Sequence, residues 1–256
     1  MDYKENVIFY FSGTGNTLYT ANAIAKELGN CDIVPITEYD GYAVRAKTIG
    51  IFFPTYFWGM PLIVNEFLEG LRIAGPTYLY GVSTYGMSTG GSLILAYRRL
   101  KKRGIKMTAA FAVKMPDNYI VIIDAPNPKT IEAIYEKADE SIVKIAEKIK
   151  LRRTHLVPIR RRNPVSTAVY HPFKRNVRQK DTQFIVNDSC IKCGKCIDYC
   201  PVDNIKIGEE GNVEFNHRCE FCMACIQRCP QNAISFQGKT DGHIRYVHPI
   251  LSEEEG

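Results

Sequence analysis

VIFYFSGTGNT, residues 7–17, reads as a buried strand that runs without a spacer into the start of a helix. Val7–Phe11 is an unbroken apolar run, and beyond it the apolar positions recur at helical spacing from Thr17 to Leu28, where Gly29 ends the pattern. The joint between them, Ser12-Gly13-Thr14-Gly15-Asn16-Thr17, offers free backbone N–H groups and the positive end of a helix dipole, with the hydroxyls of Ser12, Thr14 and Thr17 as further donors. That is an anion cradle. It lacks the Lys that reaches the outer phosphates in a nucleotide P-loop. It also has Leu18 where a dinucleotide fingerprint needs a third glycine, and no acid closes the second strand near Pro35. A terminal monophosphate fits the donor set best, the alternative being a plain strand-to-helix turn.

The same alternation continues outward. Strands are expected at Asp32–Ile36, Thr48–Phe53, Thr77–Ser83 and Ile105–Val113, and helices at Leu62–Leu71, Gly91–Arg103 and Lys129–Leu151. Strands alternating with helices of this length imply a parallel sheet covered on both faces, with ligands at the carboxyl ends of the strands. Function then belongs in the loops after strands one, three and four. The second of these is Pro54-Thr55-Tyr56-Phe57-Trp58-Gly59-Met60-Pro61, and the third is Ser83-Thr84-Tyr85-Gly86-Met87-Ser88-Thr89-Gly90-Gly91. Aromatics bounded by Pro and Gly suit a flat ring held between two loops, with small residues letting backbone N–H groups reach its edge. Core packing of Tyr56 and Trp58 is the alternative.

Eight of the nine cysteines occupy two copies of C-x2-C-x2-C-x3-C-P: Cys190, Cys193, Cys196 and Cys200, then Cys219, Cys222, Cys225 and Cys229. Three closely spaced thiolates suit three corners of an iron–sulfur cubane, and the fourth, set apart before Pro201 or Pro230, faces the other cluster. Structural zinc usually takes two C-x2-C pairs, so the third cysteine would be surplus. Disulfides suit small secreted domains, and Met1-Asp-Tyr-Lys-Glu lacks the basic-then-apolar order of a secretion signal. The expectation is a cytoplasmic protein of anaerobic metabolism, with no membrane span. Cys31, the leftover, reads as a small core residue.

The 256 residues, 45% of them apolar, allow one ordinary core and a small cofactor-stapled module. We expect residues 1–151 to form the first domain, residues 152–180 a linker and residues 181–256 the second domain with a tail. The linker carries Arg152, Arg153, Arg160, Arg161, Arg162, Lys174, Arg175, Arg178 and Lys180 and no acid, so the rest of the chain nets about minus three. Apolar and Pro positions interrupt these cations and no nucleic-acid motif accompanies them, so a linker packed on both domains is preferred over nucleic-acid binding. The five histidines read as surface or structural, and no nucleophilic triad or carboxylate pair stands out.

Residues 187–236, with SCIKCGKCIDYCPVDNI and RCEFCMACIQRCPQNAI, resemble the bacterial two-cluster ferredoxins. The resemblance implies one cluster on Cys190, Cys193, Cys196 and Cys229 and another on Cys219, Cys222, Cys225 and Cys200. The three loops of residues 5–113 resemble the flavodoxins, which implies an α/β doubly wound flavodoxin-like parallel sheet in the order 2-1-3-4-5, ahead of a smaller α+β ferredoxin-like domain. FMN would then have its phosphate on Ser12, Thr14, Gly15, Asn16 and Thr17. Its ring would lie between Pro54, Thr55, Tyr56, Phe57, Trp58 and Gly59 on one side and Ser83, Thr84, Tyr85 and Gly86 on the other. The third loop has no carboxylate, unlike ordinary flavodoxins, which leaves the flavin potential open. The whole chain resembles the flavodoxin–ferredoxin fusions of anaerobic bacteria and archaea, in which Met115-Pro116-Asp117-Asn118-Tyr119-Ile120 is also typical. Asn118 and Tyr119 would fill the gap between flavin and cluster.

The expected function is an electron relay among FMN and two 4Fe–4S clusters, linking a ferredoxin-like donor to an acceptor enzyme. The alternative is a flavoenzyme that reduces a small acceptor such as a quinone, a corrinoid or a ferric chelate. Self-association is left open.

Overall fold

Five strands, β1 (Asn6–Tyr10), β2 (Cys31–Pro35), β3 (Thr48–Pro54), β4 (Tyr78–Tyr85) and β5 (Ala109–Lys114), pair in parallel in the order β2-β1-β3-β4-β5 in a computed structural model that describes residues 3–156 and 164–253. The order reverses beside β1, and the crevice for ligands in such sheets opens there, outside the carboxyl ends of the strands. Residues of β1 alternate between the two faces as a pleat requires. Val7 and Phe9 pack with Val64, Leu68, Leu93, Ala96 and Leu100, while Ile8 packs with Ala21, Ile24, Ala138, Ile142 and Ile149. The first layer belongs to helices α2 (Leu62–Gly70) and α3 (Ser92–Lys102), the second to α1 (Asn16–Leu28) and α4 (Pro128–Lys150). Both faces are covered, which explains why these strands are apolar throughout.

β5 starts at Ala109, four residues later than the apolar run beginning at Ile105 suggests. The Ile105 N–H donates to the Leu100 carbonyl and so closes α3, and pairing with the sheet begins only where Thr108 N–H reaches the Leu79 carbonyl. Cys31 opens β2 half-buried, with its thiol pushed up to about 12 by burial, as an inert residue would be.

Part of the basic segment is helical: α5 (Pro164–Asn176) runs into a 3-10 stretch, Val177–Gln183. Tyr170, Phe173 and Val177 are buried against Ile120 and Val121 after β5 and against Phe221, Ile226 and Phe236 of the cysteine region. Arg178 donates to Glu66 Oε2 at 2.6 Å and lies 3.4 Å from Glu220 Oε1. Arg160, Arg161 and Arg162 lie outside the described residues. The cysteine region is built from two short antiparallel pairs and two single-turn helices. The pairs are β6 (Phe184–Val186) with β9 (Ile234–Phe236) and β7 (Ile205–Ile207) with β8 (Val213–Phe215); the helices are α6 (Lys195–Asp198) and α7 (Ala224–Gln227). Residues 246–253, ending in α8 (Ile250–Glu253), return to the first loop of the sheet. Among the described residues no helix is long and apolar enough to cross a membrane.

Candidate functional site

The loop between β1 and α1 is bent by Gly15, whose φ of 94° lies in the left-handed region, and α1 begins without a side-chain cap or an acid in its first turn. Its first N–H groups therefore lack a side-chain acceptor, which favours an anion. The hydroxyls are set to donate. Ser12 Oγ accepts from the Gly15 N–H at 3.2 Å and Thr14 Oγ1 accepts from Asn118 Nδ2, so each keeps its own O–H free for a ligand. Thr17 Oγ1 shares a 2.8 Å bond with Thr84 Oγ1 and ties the first loop to the third. An oxyanion fits this donor set.

A cavity of about 260 Å³ opens from the cradle across the carboxyl ends of the strands. Of the residues expected there, Ser12, Thr14, Asn16, Thr17, Pro54, Thr55, Tyr56, Phe57, Trp58, Thr84, Tyr85, Gly86, Asn118 and Tyr119 line it. Three do not. Gly15 faces His248 and Leu251 of the C-terminal segment, and Gly59 packs against the Tyr170 ring. Ser83 is fully buried beneath the cavity, hydrogen-bonded to Thr55 Oγ1 at 2.8 Å and Ser92 Oγ at 3.0 Å, where it sets the two loops in register.

The aromatics of the second loop divide by partner. Phe57 stacks on Phe173 at 4.2 Å and meets Tyr119 edge-on at 5.2 Å, while Tyr56 packs edge-on to Phe11. Trp58 and Tyr85 also line the cavity, and among the described residues neither ring has an aromatic partner. The Trp58 carbonyl accepts from the Gly91 N–H at 2.7 Å, so the second and third loops are joined at the backbone. A carboxylate is present after all: Asp117, from the loop after β5, lies directly against Gly86 in the cavity wall. The third loop alone could not reveal it, because the charge arrives from another strand end.

The eight motif cysteines separate into two quartets that cross the sequence order. Cys190, Cys193, Cys196 and Cys229 line one small cavity, and Cys200, Cys219, Cys222 and Cys225 line another. Each quartet rings a small space. Backbone N–H groups point at the sulfurs, Asn204 to Cys200 at 3.2 Å, Phe221 to Cys219 at 3.2 Å and Ala233 to Cys229 at 3.3 Å. Burial pushes the Cys222 thiol up to about 12 and Cys219 and Cys225 well up, so thiolates there require a cation's charge. The quartets differ in depth. Cys219 and Cys225 are buried, whereas Cys193 is exposed beside Ile191.

The inner quartet also touches the loop cavity. Cys222 lines both, together with Phe221 and Met223. A methyl group at Gly13 would stand 2.7 Å from the Cys222 carbonyl oxygen and 2.8 Å from its Cβ, so glycine there admits the cysteine motif against the first loop. Glu220, 1% exposed, accepts from the Ile63 N–H at 3.0 Å at the start of α2, and burial raises its carboxyl to about 7 despite Arg178. The returning C-terminal segment had no sequence signal, since its contacts with the first loop are all long-range.

Residues 182–230 match the model of the 4Fe-4S dicluster domain family. The chain is a flavodoxin-like fold fused to a 4Fe–4S dicluster domain. It is 38% identical over 50 residues to pyruvate synthase subunit PorD of Methanocaldococcus jannaschii, a match covering 19% of this chain and 58% of that protein. It is 42% identical over 53 residues to a ferredoxin of Rickettsia felis, covering 20% of this chain and 49% of that protein. The chain thus spans about half the length of these curated relatives. The rubredoxin oxygen:oxidoreductase of Desulfovibrio gigas superposes on 57% of this chain and 36% of its own with a TM-score of 0.35 and 20% identity. The assignment of the fold rests on the strand order itself.

Proposed function

We propose that the chain is an intramolecular electron relay holding one FMN and two 4Fe–4S clusters, passing low-potential electrons between a ferredoxin-like donor and an acceptor enzyme. The observation that carries this reading is Cys222, which belongs to the wall of the loop cavity and of the inner cysteine cavity at once. When bound, FMN takes two electrons and releases them singly while each cluster carries one, so the set converts between two-electron and one-electron chemistry. The chain's residues supply position and field. Ser12, Thr14 and the N–H groups opening α1 hold the phosphate, Trp58 and Tyr85 offer free ring faces to the flavin, and Asp117 brings negative charge near it. The crossed quartets are the cluster ligands, and Cys193 with Ile191 marks where a protein partner approaches. Asn118 ties the first loop to the dicluster module, and Tyr119 packs against Phe57 and Phe221, so both bridge the two redox sites.

A second reading, a flavoenzyme reducing a small acceptor, draws on Met87, 78% exposed, and the exposed Ser88, which both line the cavity and leave its mouth open. Anaerobic purification with cofactor analysis tests the first step: the expected result is about one FMN and about eight irons per chain, as two four-iron clusters require. Thr14→Glu with Thr17→Glu should abolish FMN binding by repelling the phosphate. Stoichiometric FAD in the wild type would overturn the reading. Turnover of a quinone or ferric chelate at a rate exceeding transfer to ferredoxin would favour the second.

A further inference from the structure

A chain of hydrogen bonds links the dicluster module to the phosphate cradle through one amide. Gln227, 5% exposed, closes α7 between Cys225 and Cys229. Its Nε2 donates to the Asn118 carbonyl at 2.7 Å, and its Oε1 accepts from the Tyr246 N–H at 2.8 Å. Both arms end on the first loop. Asn118 Nδ2 donates to Thr14 Oγ1, and the Tyr246 hydroxyl donates to Asn16 Oδ1 at 2.6 Å while sharing a 2.8 Å bond with Tyr135. Two residues on, the His248 N–H donates to the Thr14 carbonyl at 2.9 Å and its ring stacks on Tyr19 of α1 at 4.4 Å.

We infer that Gln227 is a positioning residue that makes flavin affinity depend on assembly of the clusters. α7 is a single turn, too short to persist without its tertiary setting, and cysteines of both quartets flank its last residue. Cluster assembly therefore fixes where the Gln227 amide stands. The amide in turn fixes Asn118 against Thr14 and holds the C-terminal segment across Asn16, so that the donors of the cradle are set before a phosphate arrives. Coupling of this kind is reciprocal: bound flavin must tighten cluster binding by the same free energy. The arrangement would keep an FMN site from forming in a chain whose relay is incomplete.

The inference rests on the flavin reading above, and the test separates the two. FMN binding by the flavin-stripped protein, followed by quenching of flavin fluorescence, is compared in cluster-loaded wild type, chelator-treated wild type, and cluster-loaded Gln227→Glu and Tyr246→Phe. Gln227→Glu keeps an acceptor for Tyr246 but loses the donor to Asn118; Tyr246→Phe removes the hydroxyl that bonds Asn16 and Tyr135 and leaves the Tyr246 N–H on Gln227. The expected result is affinity weakened about tenfold by cluster removal and by Gln227→Glu at full iron content, with a smaller loss for Tyr246→Phe. Added FMN should also slow iron release to a chelator in wild type and not in Gln227→Glu. Equal affinity in the cluster-loaded wild type and both loaded variants would overturn the coupling while leaving the flavin site intact. Absence of FMN binding by the loaded wild type would instead overturn the flavin reading.

Discussion

The two cysteine quartets come from the same spacing and end in opposite surroundings. The outer quartet sits under Lys192, Gly194 and Ile207 with Cys193 exposed, while the inner is enclosed by Phe184, Val202, Met223 and the loops of the sheet. A motif is written twice, but the tertiary setting decides which quartet meets solvent and which meets the loops at the carboxyl ends of the strands. Burial and hydrogen bonds to sulfur are the means by which proteins separate the potentials of identical clusters. The inequality gives a symmetric motif a direction.

The effect that sharpens this contrast most directly is in access. Iron bound by the outer quartet should leave to an added chelator about tenfold faster than iron at the inner, equivalent to about 1.4 kcal/mol of opening free energy. Alkylation followed by mass spectrometry should label Cys193 first during that release. A single rate with uniform labelling would mean that the quartets open together.

Next comes the junction that makes the inner quartet inner. Phe173 is 6% exposed, stacks on Phe57 and shares a cluster with Phe221. Phe173→Ala should cost about 3–5 kcal/mol of stability, read by denaturant unfolding, and bring the inner iron-release rate toward the outer one. Retained stability would place the protection elsewhere, in the Glu220 contact with α2.

The smallest effect concerns the C-terminal segment over the cradle. Burial lowers the His248 ring to about 4, with Asp139 opposing and the Tyr19 and Tyr135 rings packed on it. A histidine depressed below its unfolded value near 6.5 is held neutral in the fold, so its contribution is complete above about 6.5 and is lost as pH falls toward 4. Proteolysis of the segment should therefore rise as pH is lowered through that window, and His248→Phe should remove the dependence. A pH-independent rate in the wild type would rule the histidine out.

Much of this was legible beforehand. Apolar runs alternating with helical periods predicted the parallel sheet, because both faces are covered and every strand must be apolar. The cysteine spacing places three members of each quartet close in sequence, and the fourth, set apart before its proline, lies with the other run. The loops after β1, β3 and β4 were placed by the rule that ligands gather at strand ends. What escaped were single contacts from distant parts of the chain. Asp117 supplies the carboxylate missing from the third loop, and Gln227 and Tyr246 brace the cradle across more than a hundred residues of sequence. The Arg- and Lys-rich stretch also conceals α5, which carries Pro172 and no acid, so its charge pattern masks the buried Tyr170 and Phe173.

The central claim is that the inner quartet is the one that exchanges electrons with the flavin. Rapid-mixing reduction of wild type, Cys200→Ser and Cys193→Ala, each checked for which cluster remains by electron paramagnetic resonance, tests it directly. The account predicts that Cys200→Ser, without a sound inner cluster, loses exchange between flavin and iron. Cys193→Ala should keep that exchange and lose fast transfer to an external ferredoxin. Flavin–iron exchange that survives in Cys200→Ser and disappears in Cys193→Ala would contradict it.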